Sequence, residues 1–219
     1  MMTSINEQIK GKIEILFLKN YRILLDLAFY SILLLMIGYT ITSYESSIFL
    51  FSYNMWNINI HLIGCAIPCI ICLYSLYKFN ISVSTLLFGI SSVTIISFFV
   101  TITIVEKGIV SPFPFSLFPA LTGSLISLFL FHHEPLLHRF VFSYSICVLG
   151  VFIGADIFHL PTLLLSQPDL PMNAVIGGAG IFDLIFISGI ISCLFLLSHF
   201  LVYSLFMSIS KQREISFKI

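Results

Sequence analysis

Long apolar runs broken by short polar clusters dominate this chain. Six runs lie near 23–43, 58–77, 81–105, 113–131, 140–160 and 180–207. Each approaches the ~20 residues that carry a helix across a bilayer. The breaks between them carry ordinary punctuation. Residues 45–59 are polar and include Asn54, Trp56 and Asn57. Lys78 and Asn80 mark a tight connection, Glu106-Lys107-Gly108 with Ser111-Pro112 closes the third run, and His132-His133-Glu134-Pro135 closes the fourth. Ahead of the first run, Ile5, Ile9, Ile13, Leu16 and Phe17 recur at helical spacing beside Lys10, Lys12 and Lys19. That pattern predicts an amphipathic helix on the membrane surface.

The expected fold is therefore all-α: a polytopic integral membrane protein of about six transmembrane helices. Its parts are a cytoplasmic N-terminal segment over 1–22, a six-span domain over 23–207 and a basic tail over 208–219. Composition agrees. Hydrophobic residues make up 58% of the chain and charged residues 9%, against the roughly 25% charged that a soluble domain carries. The mean hydropathy is +1.08.

Charge placement sets the expected orientation. Of the 10 Lys and Arg residues, all but Lys107 fall on one side of a six-span arrangement. By the positive-inside rule this places both termini in the cytoplasm of a multi-pass protein of the cell membrane. The lipid bilayer is the expected partner, with a membrane peptide, a small ion or a second copy of the chain as candidates. No basic cluster is interleaved with aromatics, so no nucleic-acid partner is expected.

The segment between the fifth and sixth runs departs from this regularity. It holds Pro161, Pro168 and Pro171, then Gly177, Gly178 and Gly180, with apolar Leu163 to Leu165 and Ala174 to Ile176 between. It is too apolar for an ordinary loop and too broken for a span, and it predicts a re-entrant or surface-lying hairpin. On either side stand Asp156 and Asp183, acids inside otherwise apolar runs. Such acids are costly and mark functional sites. At 1.5 Å per residue, both lie roughly 5 Å below the outer boundary. His159 shares a helix face with Asp156, and His61 stands at a similar depth.

Asp183 falls near a helix start, where the dipole favours a carboxylate, so a structural cap competes with a functional role. Asp156 falls near a helix end, where the dipole opposes it, and has no such excuse. Gly177, Gly178 and Gly180 serve close packing or an anion nest. Cys65, Cys69 and Cys72 share one helical face, read chiefly as packing and secondarily as a soft-metal site. His132, His133, Glu134 and His138 cluster on the cytoplasmic side as solvated groups or, less simply, metal ligands.

Three blocks resemble an uncharacterised family of prokaryotic membrane proteins, domain-of-unknown-function family 1614. The strongest runs from Ile176-Gly177-Gly178-Ala179-Gly180 through Phe182-Asp183 to Gly189-Ile190 and is similar to the family's glycine-rich turn, Phe-Asp pair and helix. The second is Gly154-Ala155-Asp156 with Ile157 to Leu160. The third, His61 to Pro68, is looser: the family tends to have Asn where His61 stands and a second Gly where Ile63 stands. The Phe118-Pro119-Ala120-Leu121 run also fits. The resemblance implies a site around these blocks and implies no reaction.

Four classes of function fit the residues. Asp156 and Asp183 would be the catalytic pair of an aspartyl-type intramembrane hydrolase. The resemblance to presenilin-type and prepilin-type peptidases is partial, because those carry Gly-x-Gly-Asp and this chain reads Gly180-Ile181-Phe182-Asp183. The alternative is a proton- or cation-coupled transporter or channel, with His159, His61 and the three glycines binding the ion. A divalent metal is a candidate cofactor on Asp156, His159 and Asp183, with His61. The last class is a structural membrane protein whose polar groups fix helix packing, without catalysis.

Overall fold

The computed structural model describes residues 47–104, 107–166 and 168–216. The expected surface helix over 1–22 and first span over 23–43 lie outside the described residues.

The described part opens with a β-hairpin, β1 (Ser47–Tyr53) and β2 (Trp56–His61). Asn54 makes its turn at φ 51°, a left-handed conformation that Asn tolerates. A π-helical turn, Leu62–Ala66, leads into α1 (Ile67–Phe79). Asn80 ends α1 in the left-handed region, with Lys78 in the last turn, as helix C-terminal chemistry favours. Next come α2 (Val83–Val100), β3 (Ile102–Ile104), β4 (Gly108–Val110), a 3-10 turn at Phe115–Leu117 and α3 (Phe118–Leu130). The chain returns through α4 (Leu136–Val151), which continues as a π-helical segment, Phe152–Ile157. After α5 (Leu160–Leu165) and β5 (Met172–Ile176), a 3-10 turn at Gly180–Phe182 enters α6 (Leu184–Ser216).

Four helical stretches are long and apolar enough to cross a membrane: Leu62–Phe79, Val83–Val100, Leu136–Leu165 and Leu184–Ser204. Phe115–Leu130 is a shorter apolar helix. These occupy five of the six expected runs. The second run begins four residues later than expected because residues 58–61 belong to β2.

α4 is the centre of the bundle and packs against α1, α2, α3 and α6. Its buried positions mix Phe142, Ile146 and Val148 with Ser143, Ser145 and Gly150. Tyr77, Phe99, Phe129 and Val202 point outward and are exposed. Small groups inside and large apolar ones outside suit helices in lipid, where close backbone approach rather than hydrophobic exclusion drives association. Gly150 packs on Val93 so closely that a β-carbon would come 2.7 Å from the Val93 Cβ.

Between the last two spans the structure places the short helix α5 and the strand β5. β5 joins β2 in parallel, giving the sheet order β1-β2-β5. The reason is the pattern of β2. Trp56, Ile58 and Ile60 alternate with Asn57, Asn59 and His61, which is the period of a strand with one buried face. Register places Met172, Ala174 and Ile176 beside Trp56, Ile58 and Ile60, and all six lie in or against the main apolar core. The other face carries the asparagines. Trp56 is 2% exposed, and its Nε1–H donates to the Ser166 carbonyl at 3.0 Å, tying the hairpin to the end of α5.

Candidate functional site

Residues of β2, β4, β5, the π-helical end of α4, α5 and the turn before α6 enclose a cavity of about 390 Å³. Asp156 and Asp183 both line it, as do Lys107, Trp56, Leu160 and every residue of β5. The two acids reach this wall from different elements, Asp156 from the π-helical end of α4 and Asp183 from the turn before α6. The chain thus brings together two side chains that are 27 residues apart in sequence (183 − 156).

Asp156 sits in the π-helical end of α4. There the ladder is widened: Phe158 N–H reaches back to the Ile153 carbonyl at 3.0 Å. π-segments of this kind recur at functional sites. Asp183 is the residue before α6, with φ −67° and ψ 144°. Its Oδ1 accepts the Ile185 N–H at 3.0 Å, and its carbonyl accepts from Ile187 at 2.9 Å. It is a helix N-cap as well as a cavity residue. Burial pushes its carboxyl up to about 6, against the opposing pull of the backbone bonds at Ile185 and Ala179.

The glycines are divided. Gly177 has φ 75° and Gly180 φ 61°, and both are buried. A β-carbon on Gly64 would overlap the Gly177 carbonyl oxygen, and one on Gly177 would come 2.7 Å from Cβ of Cys65. Their role is backbone contact between the π-turn before α1 and the turn before α6. Gly178 is exposed and lines the cavity.

His61 faces a second, more polar cavity of about 500 Å³ with Asn57, Asn59, Asn173 and Gly178. Its Nδ1 accepts the Gly64 N–H at 3.1 Å, which makes it the cap of the π-turn and puts the proton of the neutral ring on Nε2. Burial lowers its pKa. His159 is not among the residues lining the cavity of the acids. Its Nδ1 lies 3.1 Å from the Gly154 carbonyl, and since a carbonyl only accepts, Nδ1 carries the proton. The ring packs beside Phe98 with centroids 4.9 Å apart.

Of the residues expected to hold a metal, Asp156 and Asp183 line one cavity, His61 lines the other, and His159 bonds the Gly154 carbonyl. Among the described residues no three His, Cys, Asp or Glu side chains gather as ligands. The helical spacing of Asp156 and His159 assumed a regular α-helix, whereas Phe152–Ile157 is π-helical. Cys65, Cys69 and Cys72 are free thiols. At the opposite end, His138 pairs with Glu134 at 3.4 Å. Arg139 donates to the Glu134 carbonyl at 3.1 Å and to that of His132, so this cluster closes the end of α3.

Three participants escaped the sequence reading. Lys107 counted only as the one basic residue on the far side. Trp56 counted as loop. Residues 172–176 fell within the Pro- and Gly-broken segment. The alternation of β2 was the available signal for the sheet; nothing local marked Lys107.

Apolar spanning helices joined at one end by a small sheet define a multi-helix protein suited to a bilayer. The chain belongs to the family described as protein of unknown function (DUF1614), whose model matches residues 16–195. No curated protein and no solved structure matches it.

Proposed function

We propose that Asp156 and Asp183 act as a carboxylate pair in an aspartyl-type hydrolase that cleaves peptide bonds near the outer membrane face. The observation that carries this reading is that both acids line one cavity. Two such carboxyls share a proton, because like charges resist joint ionisation. Ionised Asp183 takes a proton from water as its oxygen adds to the scissile carbonyl carbon. Protonated Asp156 gives its proton to the carbonyl oxygen. The resulting gem-diol collapses: Asp183 gives its proton to the amine nitrogen as the C–N bond breaks, and Asp156 takes the proton of one gem-diol hydroxyl as the carboxyl product forms, which returns the pair to its starting state. Trp56, Leu160 and Leu163 on the cavity wall limit bulk water around the reacting groups.

The outer placement rests on charge sorting, since Lys107 is at the same end as the acids and the other basic residues sort to the opposite side. The deciding experiment compares wild type, Asp156→Asn and Asp183→Asn in nanodiscs against a panel of single-span model peptides. Cleavage by wild type that both substitutions abolish supports the proposal. Equal cleavage by all three, or none by wild type, refutes it. A second reading draws on the hydrogen bond from Ile185 to Asp183: Asp183 caps α6 and only Asp156 is chemically active. In that case Asp183→Asn, whose amide oxygen still caps, keeps its activity.

A further inference from the structure

β5 ends the sheet order β1-β2-β5, and its residues line the cavity that holds both acids. Among the described residues no strand pairs with its outer side. The hydrogen-bond register shows which groups are left. Met172 N–H donates to the Met55 carbonyl at 2.8 Å, so Met172, Ala174 and Ile176 turn their backbone groups toward β2. Asn173 and Val175 must turn theirs outward, because a strand alternates. The Val175 carbonyl accepts the Gly178 N–H at 3.0 Å. The N–H and C=O of Asn173 and the N–H of Val175 remain, and no backbone bond among the described residues satisfies them. All five residues of β5 line the cavity that holds Asp156 and Asp183. A volume of about 390 Å³ is within the range of ligand sites.

We infer that the outer edge of β5 receives the substrate as an added strand, and that this strand alternates apolar and polar side chains. The first half follows from unpaired backbone groups, which attract an extended peptide by main-chain hydrogen bonds. The second follows from the two faces of the sheet. An added strand would continue the apolar face of Met172, Ala174 and Ile176 on one side. On the other it would continue the polar face of Asn57, Asn59 and Asn173. Slippage by one residue would reverse both faces, so alternation also fixes the register of the bound segment. The inference rests on the hydrolase reading for calling the segment a substrate; the strand pairing stands or falls separately.

The test uses the full chain in nanodiscs and a fluorescein-labelled peptide of alternating Val and Thr. Binding is read by anisotropy in Asp156→Asn protein, and cleavage in wild type. Two further peptides carry N-methyl groups, one on every Val nitrogen and one on every Thr nitrogen. Only one set of nitrogens can face β5, so one methylated peptide should bind about tenfold or more weakly, roughly the loss of a hydrogen bond, and the other nearly as well as the parent. Weakening of the Val series indicates a parallel strand, and of the Thr series an antiparallel one. Val175→Pro removes an outward N–H without touching a bond to β2 and should weaken the parent peptide by a similar factor, with Val175→Ala unaffected. Equal binding of all three peptides, or no binding, overturns the inference. So does a dimer that Val175→Pro splits, which would give the edge to a second copy. Methylation-sensitive binding without wild-type cleavage upholds the edge and removes the hydrolase. Cleavage that ignores methylation does the reverse.

Discussion

Gly64 and Gly177 meet backbone to backbone: a β-carbon on Gly64 would overlap the carbonyl oxygen of Gly177. This contact holds the start of the first described span against the turn that delivers Asp183. The overlap is with backbone, which has no rotamer to give. Gly64→Ala should therefore cost about 3 kcal/mol, the upper end of ordinary overpacking, and thermal unfolding in detergent measures it. A change within a few tenths of a kcal/mol would mean that the two turns are not in contact.

The two acids should separate by what each loses. Asp183→Ala removes the cap on Ile185 N–H and should cost about 1 kcal/mol in stability, whereas Asp183→Asn keeps an acceptor and most of that stability. Under the proposed hydrolase both lose cleavage. Unfolding midpoints beside cleavage rates distinguish a lost cap from a lost base.

Cleavage should depend on pH through Asp183. Its carboxyl titrates at about 6 because of burial, and the proposed step uses it ionised. Below that value it is protonated and cannot accept the proton of water, so activity should rise as pH increases through about 6. A profile flat from pH 5 to 7, or one falling over that interval, would exclude Asp183 as the base.

His159 should matter to folding and not to chemistry. Its Nδ1–H satisfies the Gly154 carbonyl that the π-segment leaves open. His159→Ala should cost roughly 1–3 kcal/mol, the range for orphaning a buried polar group. The fraction that folds should cleave peptides at the wild-type rate. Loss of cleavage in protein of normal stability would return His159 to the site.

Trp56 links the sheet to the end of α5 through Ser166. Trp56→Phe deletes that bond with little loss of apolar contact, so about 1 kcal/mol is expected. Hydrogen exchange should then quicken in β2 and β5 before it does in α4.

Much of the framework was legible in the linear pattern. Apolar runs of spanning length are a one-dimensional property, and charged residues between them sort by side without reference to packing. Asp156 and Asp183 stood out for the same reason, since an acid in an apolar run is conspicuous wherever the helix goes. The glycine-rich turn and the family resemblance pointed to the same blocks.

What tertiary structure decided was how these pieces meet. β2 and β5 are separated by more than a hundred residues, and among the described strands β5 pairs with β2 alone, so its own short sequence does not mark it as a strand. The alternation of Trp56 to His61 was visible, but its partner was hidden among prolines and glycines. The helix carrying Asp156 toward His159 is π-helical at Phe152–Ile157, where Gly154 packs against α2. A helical wheel drawn on a regular pitch puts Asp156 and His159 together. Lys107 joined the acids only through the folding of the β3–β4 hairpin over them. Hydrophobic pattern along the chain determined which segments leave water. Long-range backbone pairing, which no local pattern encodes, determined which polar groups face one another.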